Sequence, residues 1–327
     1  MNLPDDISPN DPCRCGSGRI YAECHGPIFS AAAGKMISVA QQRYVEEWSG
    51  NARAYEAQGL YNALAEQLAQ RVTGGRVLDV GCGLGHGLSA MRDRLGLDML
   101  VGIDENPECL ALAAAKLGGD PLDSALRRMH SSELPNGQYR AQYDGKALRS
   151  GGALRLIQTD VLVNDPAFGR FLDEIGPLDA ITLWFCGVHK ARSATELAAF
   201  FKIRSDADHR EVVEDAVTDL AQARLRRGGW MHIAIRAGFP DAQTAVRETR
   251  YSMAPMIDGK QFTVREIVPL SYREEPANGA IVVRSKNERI NRFPSFAMSI
   301  LIERTDYLTN DYASLSSSAR TRSRVTT

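Results

Sequence analysis

The 327-residue sequence predicts an α/β fold: a seven-stranded, mostly parallel sheet with helices on both faces, preceded by a small cysteine-rich knuckle and a helical linker. Three observations carry that prediction. Apolar runs of strand length alternate with helical periods from Arg76 to Ile235. Three of those runs lead straight into an acidic residue or a glycine turn, at Asp79, Asp104 and Asp160. Cys13, Cys15 and Cys24 crowd together near the N-terminus, while Cys82, Cys109 and Cys186 are scattered through apolar surroundings.

Composition is that of an ordinary globular chain, with 44% hydrophobic and 24% charged residues. A formal net charge of −1 gives no whole-molecule field toward nucleic acid or an anionic membrane. The first residues carry no apolar run, and no stretch approaches the roughly 18 apolar residues of a membrane span. We therefore expect a cytoplasmic protein without membrane contact, its clustered thiols binding metal in a reducing compartment.

In chain order, residues 1–28 form the loop-built knuckle. Residues 29–72 form a helical linker or lid: Ala31 to Gln42 is a run of helix formers, and Leu60, Leu64 and Leu68 share one face of a helix from Tyr55 to Val72, stopped by Gly74-Gly75. The main domain spans 73–305. Its strands are expected at Arg76–Val80, Met99–Ile103, Leu154–Gln158, Ala180–Phe185, Trp230–Ile235, Phe262–Pro269 and Phe296–Glu303, with Ile281–Arg284 a weaker candidate. Helices are expected over Leu88–Leu95, over Pro107–Leu117 with Asn106 as cap, and within 193–227. Residues 118–152 are polar, Gly-rich and mildly basic, and read as an insertion. Residues 306–327 read as a disordered tail.

Ligands of such sheets bind at the carboxyl ends of the strands. The first strand runs Val-Leu-Asp79-Val-Gly81-Cys-Gly83-Leu-Gly85-His-Gly. Glycines let the backbone bend and approach a ligand, and the helix that follows offers free N–H groups. A dinucleotide loop needs Gly-x-Gly-x-x-Gly; from Gly81 the third position holds His86, and from Gly83 it holds Leu88. A buried Asp79 would repel a pyrophosphate but suit a ligand carrying an ammonium and a sulfonium. The segment resembles the first motif of class I, Rossmann-like, S-adenosylmethionine-dependent methyltransferases, an acidic residue followed by Gly-x-Gly-x-Gly, matched by Asp79, Gly81, Gly83 and Gly85. The resemblance extends over residues 76–235 and, more weakly, to about 304. It implies that the glycine loop backs the methionine part of the cofactor and that Asp79 orients its amino group.

Asp104, about twenty residues on, can accept from both ribose hydroxyls, the role the resemblance also implies. The resemblance places the adenine amino group at Asp160 and the ring at the Val161 backbone. At the fourth strand end, where it places the transferred methyl, the chain reads Trp184-Phe185-Cys186-Gly187-Val-His189. Enzymes that methylate adenine or glutamine amides carry Asn/Asp-Pro-Pro-aromatic there, so this chain departs from them. Trp184 is a candidate cofactor contact. Cys186 as nucleophile and His189 as general base are the candidate catalytic residues, against ordinary packing roles for both.

Residues 10–26 read Asn-Asp-Pro-Cys13-Arg-Cys15-Gly-Ser-Gly-Arg-Ile-Tyr-Ala-Glu-Cys24-His25-Gly. Cys13, Cys15, Cys24 and His25 are four soft or borderline donors that can close a tetrahedral structural zinc site. The segment closely resembles the SEC-C motif, which implies contacts to proteins or ribosomes. Nucleic acid could be met only through local arginines, such as Arg224, Arg226 and Arg227, or Arg320, Arg322 and Arg324. The sequence therefore points to a methyltransferase of unknown substrate with a recognition knuckle. The alternatives are a non-catalytic adaptor on the same fold and, disfavoured by the glycine spacing, a nicotinamide oxidoreductase.

Overall fold

A computed structural model of the chain describes residues 7–13, 19–31, 35–118, 129–133, 139–143, 145–274 and 293–308. Its seven main strands are β1 (Arg76–Val80), β2 (Met99–Asp104), β5 (Leu154–Gln158), β6 (Leu178–Trp184), β7 (Leu225–Gly238), β8 (Phe262–Tyr272) and β9 (Ser295–Arg304). They stand in the order β5-β2-β1-β6-β7-β9-β8. β9 pairs antiparallel with both β7 and β8, and the other pairings are parallel. This is the predicted Rossmann-like, mostly parallel sheet. The chain winds outward from β1 in one direction to β5 and in the other to β8, so a crevice opens at the carboxyl ends of β1 and β6.

Helices cover both faces. On one lie α2 (Met36–Ala57), α3 (Leu60–Ala69), α4 (His86–Leu95) and α5 (Pro107–Leu117), burying Tyr55, Leu64, Leu68, Leu88, Met91 and Leu110. On the other lie α6 (Pro166–Ile175), α8 (Asp206–Arg224) and α9 (Ala242–Ile257), burying Phe168, Phe171, Val217, Met253 and Ile257. The short α1 (Gly26–Phe29) leads out of the knuckle and α7 (Glu196–Phe200) precedes α8. No helix among the described residues is long and apolar enough to cross a membrane.

Several elements differ from the sequence reading. The helix expected over 55–72 is two helices: Tyr55 lies in the last turn of α2, which ends at Ala57, and Gly59, at φ +75°, turns the chain before Leu60. A left-handed residue ends a helix because its carbonyl no longer follows the axis. α6 and α9 occupy stretches left unassigned by sequence. The segment 118–152 contains a hairpin, β3 (Met129–Glu133) against β4 (Tyr139–Tyr143). β7 begins at Leu225, with Gly228 at φ +68° and a register shift near its start, so Arg226 and Arg227 lie on a strand. Arg224, Arg226 and Arg227 each meet a carboxylate, on Asp173, Asp179 and Asp306. The candidate strand 281–284, tail residues 309–327 with their arginines, and Cys15 fall outside the described residues.

Candidate cofactor cleft and metal knuckle

β1 delivers Asp79 to the crevice, 3% exposed, where Thr182 Oγ1 of β6 donates to its Oδ1 at 2.6 Å. The chain then turns through Gly81, Gly83 and Gly85, all at positive φ (67°, 52° and 78°). L-residues pay about 1–2 kcal/mol each in that region, so three alternating positions select glycine. Gly85 has a second reason: an added Cβ would sit 2.9 Å from Ala113 Cα, where α4 meets α5. Gly85→Val is expected to lower unfolding stability by about 1–3 kcal/mol from overpacking, plus the left-handed strain, in a urea titration.

Asp104, ending β2, latches this loop. Its Oδ2 accepts from the Gly83 N–H at 2.9 Å and its Oδ1 from the Asn106 N–H at 2.9 Å. Asn106 accepts in turn from Glu108 N–H, capping α5. Asp79 and Asp104 have no cation within ion-pair distance among the described residues, and burial pushes both carboxyls up to about 7. Glu105 beside them is also pushed up to about 7 by burial, against the attraction of Arg192. Two carboxyls without cationic partners, Asp79 buried and Asp104 half-buried, make a pocket that favours a cationic, hydroxyl-bearing ligand.

These groups line one cleft of about 940 Å³. Asp79, Gly81, Gly83, Asp104, Asp160, Val161, Trp184, Cys186 and His189 all reach it, whereas Gly85 lies behind, against α5. Nothing stands within 4 Å of where a Gly81 Cβ would project, so the cradle is open at its floor. Trp184 packs edge-on against His232, with ring centroids 5.3 Å apart, and leaves its buried Nε1 without a partner.

The Asp160 end of the cleft is more crowded than the sequence suggests. Asp160 Oδ1 accepts from the Leu162 N–H at 2.9 Å, and its Oδ2 lies 2.6 Å from Arg192 Nη1 in a buried ion pair. Burial alone would raise the Asp160 carboxyl, but the Arg192 charge and hydrogen bond hold it below its usual range. His189 sets its Nε2 3.3 Å from Glu105 Oε1; burial and the Arg192 charge push it down to about 3, so the ring stays neutral. Burial pushes the Cys186 thiol up to about 12, leaving no thiolate near neutrality. These values suit groups that pack and position, and suit neither a thiolate nucleophile nor a strong base.

Trp48 and Tyr61, in the helical segment that the sequence offers as a lid, line the cleft, and Tyr44, Arg192 and His209 line it without having been expected. Tyr44 and Trp48 stack on one face of α2, 6.3 Å apart, and both roof the cleft. Their i,i+4 spacing was the available signal. The Tyr44 hydroxyl fills the space a side chain on Gly187 would need. α2 is tied down by Gln41, whose amide donates to Glu105 at 2.7 Å and whose carbonyl accepts from Asn106 at 3.0 Å. Tyr61 lines the cleft, but Tyr55 sits deeper, accepting from Arg236 at 2.7 Å. Arg192 and His209 gave no sequence signal, since each reaches the cleft through the tertiary fold.

At the knuckle, donor atoms of Cys13, Cys24 and His25 lie within 4.8 Å of one another. The Cys13 and Cys24 sulfurs are 3.1 and 3.3 Å from His25 Nδ1. Two such ligands of one tetrahedral zinc are about 3.5 Å apart, from bond lengths of about 2.3 and 2.0 Å. The donor set therefore fits zinc. The backbone folds back through Cys13 N–H to the Arg19 carbonyl and Tyr21 N–H to the Asp11 carbonyl, both 2.8 Å.

Residues 10–27 match the family model described as the SEC-C motif. The chain thus carries a SEC-C motif at its N-terminus, on a Rossmann-like sheet. No curated protein sequence matches it. Among solved structures it is similar to the O-methyltransferase StiE O-MT, residues 961–1257, with 14% identity, TM-score 0.44 and coverage of 85% of this chain and 84% of that one. It is also similar to the N-methyltransferase NodS from Bradyrhizobium japonicum WM9, with 11% identity, TM-score 0.39 and coverage of 76% and 97%. A third is an rRNA methylase from Streptococcus thermophilus, with 14% identity, TM-score 0.34 and coverage of 74% and 94%.

Proposed function

We propose that the cleft binds S-adenosylmethionine and that the protein is a methyltransferase. The observation that carries this reading is a pair of carboxylates, Asp79 buried and Asp104 half-buried, without cationic partners among the described residues, on either side of a three-glycine turn at positive φ. Asp79 would hold the ammonium, Asp104 the ribose hydroxyls, and Gly81 and Gly83 the methionine backbone. Val161 and Trp184 would wall the base and the sulfonium end. When bound, the cofactor supplies an electrophilic methyl on sulfur. The chain's task is to align an acceptor in line with it and to exclude water, work that needs positioning more than a base. Tyr44, Trp48, Phe185 and His189 stand where that alignment would be set. Cys13, Cys15, Cys24 and His25 would hold a structural zinc, and the knuckle is proposed to contact protein or ribosome.

The direct test adds purified protein and methyl-labelled cofactor to extract from cells lacking this protein, then counts label in protein, RNA and small-molecule fractions. Label in one fraction, absent with Asp79→Ala, is the expected result. No label anywhere, despite cofactor binding, would favour the adaptor reading.

Asp104→Ala is expected to weaken cofactor binding by roughly 10- to 150-fold, the worth of about 1.5–3 kcal/mol in hydrogen bonds to a charged group. Unchanged affinity by calorimetry would refute the ribose assignment. The pH dependence has a definite sign. Asp79 and Asp104 are raised in the fold, so the stability they contribute in their neutral forms is complete below about 4 and lost as pH rises through about 7. A cationic ligand needs the ionised forms. Affinity should therefore climb as pH rises through 7 and fall once the ligand's own α-ammonium deprotonates near 8. An affinity flat from pH 6 to 8.5 would contradict this.

A further inference from the structure

A second cavity, of about 1370 Å³, opens beside the cofactor cleft and shares with it Tyr44, Trp48, Phe185, Cys186, His189 and His209. If the cofactor reading holds, this is the side from which an acceptor approaches. Three further lining residues, Ile28, Arg43 and Glu47, connect it to the knuckle. Arg19, inside the metal loop, pairs with Glu47. Arg43 donates to the carbonyl of Glu23, the residue before Cys24. Ile28 packs with Met36, Ile37 and Ala40 of α2 and with Ala191. Ala191 adjoins Arg192, the partner of Asp160 in the cofactor cleft. The knuckle thus touches both α2 and the turn at Lys190–Ala194, which also pack against each other.

We propose that the metal-bound knuckle braces the α2 wall of this acceptor cavity, so that metal occupancy fixes α2 and sets ligand binding in the neighbouring cleft. A segment this short buries too little to fold by itself: of its described residues, only Cys13, Cys24 and Ile28 are buried apolar groups. Metal supplies the missing free energy. Without it, Arg19 and Glu23 are no longer held against α2, and Ile28 leaves its apolar patch. The first half of α2 then loses its knuckle contacts and keeps those of Gln41 with Glu105 and Asn106 and of Met36, Ile37 and Ala40 with Ala191, and Tyr44 and Trp48 are held less firmly over both cavities. The SEC-C unit becomes part of the site rather than an appended module.

The test uses full-length protein with zinc bound at one equivalent, the same protein after chelation, and an Arg19→Ala variant that keeps every metal ligand. Hydrogen exchange is followed by peptide, and S-adenosylhomocysteine binding by calorimetry. Chelation is expected to lower protection over residues 36–48 at least tenfold while residues 60–69 and 76–80 stay protected, and to raise the Kd at least fivefold. Arg19→Ala should move both readouts in the same direction with zinc content unchanged. Unchanged protection over 36–48, or an unchanged Kd, in chelated protein overturns the proposal. Zinc-loaded protein that fails to bind S-adenosylhomocysteine would instead refute the cofactor reading, and the exchange measurement would still decide whether the knuckle braces α2.

Discussion

Asp79→Asn is expected to abolish useful cofactor affinity while leaving the empty protein as stable as before, or more so. Asn keeps an oxygen that can accept from Thr182 Oγ1, so the local hydrogen bond survives. What disappears is a buried negative charge with no cationic partner, costly in the empty fold and essential to an ammonium ligand. Losing one member of a buried charge pair costs about 3–5 kcal/mol, which is a loss of at least roughly 100-fold in affinity. The stability gain should be present at pH 8, where the wild-type carboxyl is forced to ionise, and absent near pH 4, where it is neutral in the fold. Urea titrations at the two pH values, alongside calorimetry, measure both halves. A variant that binds normally, or one that is unstable at pH 8, would show that Asp79 serves the fold and not a ligand.

The second large effect concerns Asp160 and Arg192, both nearly inaccessible and 2.6 Å apart. Asp160→Asn strands the Arg192 guanidinium in the interior and is expected to cost about 3–5 kcal/mol of stability. Replacing both, as Asp160→Asn with Arg192→Met, should recover most of that loss, because an apolar side chain of similar length restores packing without a charge. If Asp160→Asn is neutral, the pair is not the latch its geometry describes, and Asp160 is freer for an adenine contact than the ion pair suggests.

How much was legible in the sequence follows from which constraints are local. The glycine loop was legible because positive φ at Gly81, Gly83 and Gly85 leaves few alternatives to glycine, so conformation writes itself into residue type. The knuckle was legible because metal geometry fixes the spacing of its donors. The helix α6 was missed although Asp165 caps it, accepting from Ala167 and Phe168 N–H groups, and Phe168, Phe171, Leu172 and Ile175 repeat at helical spacing. That signal was present and went unread. α9 gave less to read, with polar and apolar residues mixed along it and Pro255 within its last turn. The break at Gly59 lay within the stretch read as one helix but just before its Leu60, Leu64 and Leu68 period, so the glycine itself was the only local signal of the turn. Arg192 and Glu105 could not have been placed by pattern. Arg192 meets Asp160 only because the turn after β6 folds over the end of β5, and Glu105 meets Gln41 and His189 only because α2 and that turn converge on the end of β2.

The most direct measurement is calorimetric titration of the zinc-loaded protein near pH 7.5 with S-adenosylmethionine, S-adenosylhomocysteine and NAD in turn. One site for each of the first two, and no heat of binding with NAD, is the predicted result. Binding of NAD without either sulfur ligand, by protein that remains folded, would contradict the assignment of Asp79, Asp104 and the three-glycine turn to a sulfonium cofactor.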